Sequence, residues 1–180
     1  DDNQRLYTQI SNVPMEREPF FLDENCRNTQ HIHARLLPYA KTDDETVCLG
    51  PEGRAVELVP APTKQTARKE LQRVLHRLVN EDGVHWKDII VLTPSSERRS
   101  QWKKDDQLGN FILSWDMETQ MQQAIRVTTI YRFKGLESSV VIVTELDQLY
   151  EDIGDQLVYV ALSRARNHVV VIGELPVPQT

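Results

Sequence analysis

Ser139-Val140-Val141-Ile142-Val143-Thr144 is the stretch on which the fold turns. It is apolar on both faces of an extended chain, and a strand of that kind is stable only where helices cover the sheet on both sides. Three more stretches have the same character: Asp88-Ile89-Ile90-Val91-Leu92-Thr93, Ile125-Arg126-Val127-Thr128-Thr129-Ile130 and His168-Val169-Val170-Val171-Ile172-Gly173. Phe111-Ile112-Leu113 is a shorter candidate. Between the strands lie helical patterns. From Thr63 to about Asn80, Ala67, Leu71, Val74, Leu75 and Leu78 recur at helical spacing, with Gly83 just beyond. Asn28 is placed to cap a helix running to about Leu37, before Pro38. Ser95 or Ser96 is placed to cap a polar helix that stops before Gly109. Asp155 to Arg166 puts Leu157, Val160 and Ala161 on one helical face. The alternation from Ala55 to Pro60 predicts a small edge hairpin with Glu45 to Leu49. Strands alternating with helices predict an α/β domain with a mostly parallel sheet.

The chain has 180 residues, which suits one domain or one with a small appendage. With 39% hydrophobic and 27% charged residues it has the balance of an ordinary globular domain rather than a disordered or membrane-embedded chain. A net charge of −6 argues against a plain basic clamp on nucleic acid and leaves room only for a local basic patch. No apolar run approaches the ~18–20 residues of a membrane span. Asp1-Asp2-Asn3-Gln4-Arg5 has neither the pattern of a signal peptide nor that of a basic leader. Cys26 and Cys48 lack Cys-x-x-Cys spacing, so a disulfide framework and a cysteine zinc site are both disfavoured, and a reduced, cytoplasmic setting is the default. The chain opens on a polar run without an initiator methionine and reads as a piece of something longer.

In open α/β sheets ligands sit at the carboxyl ends of the strands. On that rule two segments stand out. Thr129-Ile130-Tyr131-Arg132-Phe133-Lys134-Gly135-Leu136-Glu137 follows a strand directly, and Tyr159-Val160-Ala161-Leu162-Ser163-Arg164-Ala165-Arg166 delivers two arginines just before the last one. Arginine suits phosphate because it is always charged and donates two parallel hydrogen bonds. Arg164 and Arg166 are two apart, which points them to different sides of a helix.

These residues resemble a known family. Thr129 to Glu137 is similar to motif V of superfamily I helicases of the UvrD/Rep/PcrA kind, and Val160 to Arg166 to their motif VI. Leu22-Asp23-Glu24-Asn25-Cys26-Arg27-Asn28-Thr29 resembles motif IV. Asp1-Asp2-Asn3-Gln4-Arg5-Leu6-Tyr7 resembles motif III, and Asp88 to Thr93 the strand labelled IVa. The motifs come in the family's order and span nearly the whole chain. The resemblance implies a three-layer RecA-like domain of the P-loop NTPase type over residues 21–180, with residues 1–20 as the tail of a preceding RecA-like domain. It implies ATP in a cleft between the two domains, with Mg²⁺ ligands in the N-terminal one. Gln4 matches the glutamine that senses the γ-phosphate. Arg27 and Arg164 match arginines that reach the same phosphate from this side. Glu137 matches the carboxylate that bonds the nucleotide ribose, and Gly135 lets the backbone turn close beside that ligand. Thr129, Tyr131 and Lys134 fall where motif V touches the strand. The implied partners are single-stranded or duplex DNA, with RNA as the rival, and the N-terminal domain.

The sequence departs from the family at several points. Tyr131 stands where histidine is usual, Ser163 where threonine is commoner, and Cys26 where an aromatic is common. After motif III the chain reads Thr8-Gln9-Ile10-Ser11, without the usual base-stacking tryptophan. About thirty residues separate Thr93 from Val127, too few for the large accessory subdomain of UvrD-like enzymes, so ATP-driven movement is implied ahead of unwinding. No Gly-x-x-x-x-Gly-Lys-Ser/Thr occurs, and this stretch alone is expected not to hydrolyse ATP. A third reading is a non-hydrolysing binding module, against which the intact Arg27, Glu137 and Arg164 argue. Outside the motifs, Arg68, Lys69, Arg73 and Arg77 read as a solvated helical stripe, and Trp86 and Trp102 as packing residues. His31, His33, His76, His85 and His168 are scattered without matching carboxylates and suggest no metal site.

Overall fold

The computed structural model describes residues 24–41, 47–149 and 153–179. The motif III stretch with Gln4, and the boundary expected near residue 20, lie outside the described residues.

The apolar strands assemble as their patterning demands. In chain order, β1 is Glu24–Asn25, α1 Gln30–Leu36, β2 Val47–Cys48, β3 Glu57–Val59, α2 Lys64–His76, β4 Ile89–Thr93, β5 Gln107–Leu108, β6 Phe111–Ser114, β7 Ala124–Thr129, β8 Ser138–Thr144, α3 Gly154–Ser163 and β9 Ala165–Ile172. Among the described residues, seven strands form one sheet in the order β3-β9-β8-β4-β7-β6-β5. All neighbours are parallel except β5, which runs antiparallel to β6. Alternate residues of the central strands serve two cores. Ile89, Val91, Ile125, Val127, Val140 and Ile142 pack with Ala67, Leu71, Val74 and Leu75 of α2. Ile90, Leu92, Val141, Val143, Val169 and Val171 pack with Ile32 and Leu36 of α1 and with Leu157, Val158, Val160, Ala161 and Leu162 of α3. The result is three layers, helix–sheet–helix, as the resemblance implies.

Four local expectations are corrected. The edge hairpin does not form: β3 joins the main sheet beside β9, and β2 pairs in parallel with β1. Val170 and Ile172 offer Val59 a buried partner row, which a free hairpin could not. The helix expected after Ser95 is absent, and residues 97–100 only turn. Its backbone and hydroxyl groups are captured elsewhere: Ser95 N–H donates to Thr93 Oγ1 at 3.1 Å, Ser100 Oγ to Glu145 Oε2 at 2.7 Å, and Gln101 N–H to Glu145 Oε1 at 2.7 Å. Thr29, not Asn28, caps α1, its hydroxyl accepting from Ile32 N–H at 3.4 Å. Finally, α3 ends at Ser163, so Arg164 is its C-cap and Arg166 already belongs to β9. Thr63 caps α2 as expected, in a reciprocal pair with Thr66.

Candidate functional site

Two of the motif arginines, Arg27 and Arg166, pair with one carboxylate, Glu137, and the third, Arg164, is buried beside them. Arg27 sits in the turn after β1. Its backbone N–H donates to Asn25 Oδ1 at 3.0 Å, and its Nε lies 3.7 Å from Glu137 Oε2. Arg166, early in β9, places Nη1 3.6 Å from Glu137 Oε1. Arg164 comes from the end of α3 and is 2% exposed. Its guanidinium is held by its own neighbourhood: Nε donates to Val160 O at 3.1 Å, Nη2 to Ser163 Oγ at 2.9 Å and Nη1 to Leu136 O at 3.4 Å. Burial pushes the Arg164 guanidinium below its ordinary pKa, the positive field of Arg27 adds to this, and Tyr159 and Glu137 oppose it. Arg27, Arg164 and Arg166 against the single carboxylate of Glu137 leave a surplus of positive charge, suited to an anion.

The cluster lies where the carboxyl-end rule does not put it. Glu137 immediately precedes β8 and Arg164 immediately precedes β9, so both mark the amino edge of a parallel sheet. Ser138 N–H donates to Arg164 O at 3.0 Å and ties the two strand starts together. Thr129 ends β7 beside Thr93 of β4 and obeys the rule, at the carboxyl edge. Residues 130–137 therefore cross the sheet from one edge to the other. Ile130 and Phe133 are buried among α1 and α3 residues, and Tyr131 is partly buried against the same cluster. Thr129 Oγ1 accepts from Arg132 N–H at 3.1 Å and starts the turn. Lys134 is exposed. Gly135 takes φ +84°, a conformation side chains rarely adopt, and a Cβ there would meet open space. That positive φ is what calls for glycine in this turn.

Sequence reasoning missed the residue that organises this corner. Asn28 is 2% exposed, and its Nδ2 donates to Ala165 O at 2.7 Å and to Ser163 O at 3.2 Å, the carbonyls on either side of Arg164. Its Oδ1 accepts from Asn25 Nδ2 at 3.1 Å. Gly50 closes over it, so near that a Cβ would stand 2.0 Å from Asn28 O. An asparagine beside a helix start ordinarily signals a cap, and no spacing in the sequence distinguishes this use. Glu145 was missed as well. It is buried with a left-handed φ of 60°, at the end of β8, and accepts from the hydroxyl of Thr93 as well as from Ser100 and Gln101.

Comparison with known proteins fits this geometry. Residues 124–172 match the family model of the UvrD-like helicase C-terminal domain, a span from β7 through the crossover, β8 and α3 to β9. The C-terminal domain of a possible DNA helicase from Lactobacillus plantarum WCFS1 superposes with a TM-score of 0.59 at 17% identity, over 84% of this chain and 89% of that one. Nsp10, the helicase of PRRSV, aligns with a TM-score of 0.43 at 19% identity, over 87% of this chain and 27% of its own. No curated protein matches the chain. Residues 124–172 are thus similar to a UvrD-like helicase C-terminal domain, and the chain as a whole shares the fold of the Lactobacillus plantarum domain. Among the described residues no helix is long and apolar enough to cross a membrane.

Proposed function

We propose that this chain is the C-terminal motor domain of an ATP-dependent superfamily I DNA helicase or translocase, working in the cytoplasm. Its part is to bring Arg27 and Arg164 to the triphosphate of an ATP held against an N-terminal RecA-like domain that supplies the Mg²⁺ ligands. The observation that carries the reading is the pairing of Arg27 and Arg166 with the one carboxylate of Glu137, with the buried Arg164 within electrostatic reach of Arg27 and Glu137. An exposed carboxylate among cations fits a nucleotide: Glu137 accepts a ribose hydroxyl while the guanidiniums face the phosphates. Gly135 shapes the turn that presents Glu137. Gln4 senses the γ-phosphate from the other side of the cleft.

Arg164 in the described conformation donates to Leu136 O through its longest contact, 3.4 Å. Releasing that one bond frees Nη1 toward an incoming phosphate while the bonds to Val160 and Ser163 keep the side chain anchored. Guanidiniums so placed stabilise charge that builds on the transferring phosphoryl group, an effect worth roughly 10³–10⁵ in rate. Thr129, Tyr131 and Lys134 contact the strand, Tyr131 by stacking on a base. The crossover 130–137 joins the strand-facing and nucleotide-facing edges, so closure of the cleft on ATP moves both together. ATP hydrolysis by the chain joined to its N-terminal domain, with and without single-stranded DNA or RNA, tests the reading. Strand-stimulated turnover is expected, with DNA the stronger activator; RNA as the stronger one would make it an RNA helicase. No turnover at all would make the chain a binding module.

A further inference from the structure

A cavity of about 890 Å³ lies at the carboxyl ends of β3, β9 and β8, three neighbours in the sheet. That volume is at the upper end of ordinary ligand clefts, roughly 300–1,000 Å³. Its apolar lining comes from Pro60 and Pro62 after β3, Leu149 after β8, and Leu175, Pro176 and Val177 after β9. Four carboxylates line it, those of Glu145, Asp147, Asp155 and Glu174, against one cation, Lys64. Arg98 and Arg99 come shortly before Gln101, which lines the cavity, but do not line it themselves. Glu145 is buried and already accepts from Thr93, Ser100 and Gln101. Asp147 and Glu174 are exposed, and among the described residues neither pairs with a base. Thr144, wholly buried, also lines the cavity, and its hydroxyl has no hydrogen-bond partner among the described residues.

The segment after β9 is pinned without being paired. Gly173 N–H donates to Val59 O at 2.9 Å, Tyr39 Oη to Pro176 O at 2.8 Å, and Gln179 N–H to Asp155 Oδ2 at 2.8 Å. Between these pins the backbone groups of Glu174, Leu175 and Val177 make no hydrogen bond among the described residues. Val177 is 87% exposed. A fixed segment with open N–H and C=O groups is a surface that an extended peptide can pair with, main-chain bonds giving affinity and side chains specificity. The unopposed carboxylates set that specificity: they attract lysine and arginine and repel phosphate. An unmet buried hydroxyl is one more group that a bound partner can satisfy.

We propose that this cavity docks an extended segment of a partner protein that combines basic and apolar residues. The segment pairs with the backbone of Glu174 to Val177, sets lysine or arginine against Asp147 and Glu174, and lays its apolar side chains on the prolines and Val177. The proposal does not rest on the ATPase reading, since it uses none of the residues assigned to the nucleotide.

The test is panning of a phage-displayed library of random octapeptides on the intact chain, followed by fluorescence anisotropy of the selected peptides made synthetically. The selected peptides are expected to be rich in lysine or arginine together with apolar residues, and to bind more weakly as salt is raised. Asp147→Asn/Glu174→Gln removes two charges at exposed positions and is expected to lower affinity about fivefold or more. Glu24→Gln/Glu118→Gln removes two exposed charges that do not line the cavity and is expected to leave affinity unchanged. Circular dichroism checks that both variants fold, and Glu174→Gln alone is expected to act in the same direction. Selection of no peptide, or of acidic ones, overturns the proposal. So does equal binding by wild type and the Asp147/Glu174 variant, or an equal loss in the control. Displacement of the peptides by oligo-dT would make the cavity a strand-binding surface and overturn it as well.

Discussion

Asn28 donates to the carbonyls on both sides of Arg164 while its neighbour Arg27 reaches Glu137. One amide thus sets the register of two arginines from distant parts of the chain. Asn28→Ala leaves both carbonyls unmet and is expected to cost about 1–3 kcal/mol, read by thermal unfolding. If the proposed function holds, misplaced arginines should also lower kcat for ATP in the chain joined to its N-terminal domain by about 10²-fold. A folded variant with wild-type kcat would show that Asn28 only supports the fold. Glu145 is the second residue of this kind. Glu145→Ala strands the hydroxyls of Thr93 and Ser100 and the N–H of Gln101, so a loss of about 3 kcal/mol in urea unfolding is expected. A loss well under 1 kcal/mol would mean that water replaces the carboxylate.

At the scale of elements, the central strands were legible because burial on both faces leaves an unbroken apolar run, as in Val140-Val141-Ile142-Val143. Helix α2 was legible from one apolar stripe and the Thr63 cap. The failures share a cause: their outcome depends on partners far along the chain. The stretch from Ser95 to Gln101 has a polar helix's composition, but Glu145, more than forty positions on, takes its donors. The edge segment Glu57–Val59 alternates like a hairpin strand, but β9 captures it. The motifs marked Arg27, Glu137 and Arg164 for the site, whereas the sheet edge on which they meet followed only from the topology. Two predictions belong here. Gly135→Ala forces a side chain into φ +84° and should cost about 1–3 kcal/mol, read by urea unfolding; a smaller effect would mean that the crossover relaxes. His168, in β9, is buried, its Nδ1 without a hydrogen-bond partner among the described residues and its Nε2 3.8 Å from Glu57 Oε2. Burial holds its pKa below the ordinary 6.5; Glu57 and Asp82 pull it up, while Arg54 and Arg77 push it down. The unfolded chain therefore binds the proton first as pH falls. Its contribution is intact above pH 6.5 and is lost as pH drops from there toward the depressed folded value. His168→Gln should flatten stability against pH in that window, and an unchanged slope in urea unfolding would contradict it.

For the whole molecule, the amino edge of the sheet gathers Arg27, Glu137, Arg164 and Arg166, and the carboxyl edge carries Thr129. In a chain of net negative charge the amino-edge cluster is a local surplus of cations. Residues 130–137 are the direct covalent link from β7 to β8, and on the proposed function they are the link through which closure at a nucleotide would move the strand-facing edge. The most direct measurement is ATP hydrolysis by the chain joined to its N-terminal domain, for wild type, Arg27→Ala and Arg164→Ala, with saturating single-stranded DNA. The account predicts strand-stimulated turnover in the wild type and a drop of roughly 10³-fold or more in each folded variant. Turnover indifferent to both arginines would contradict it.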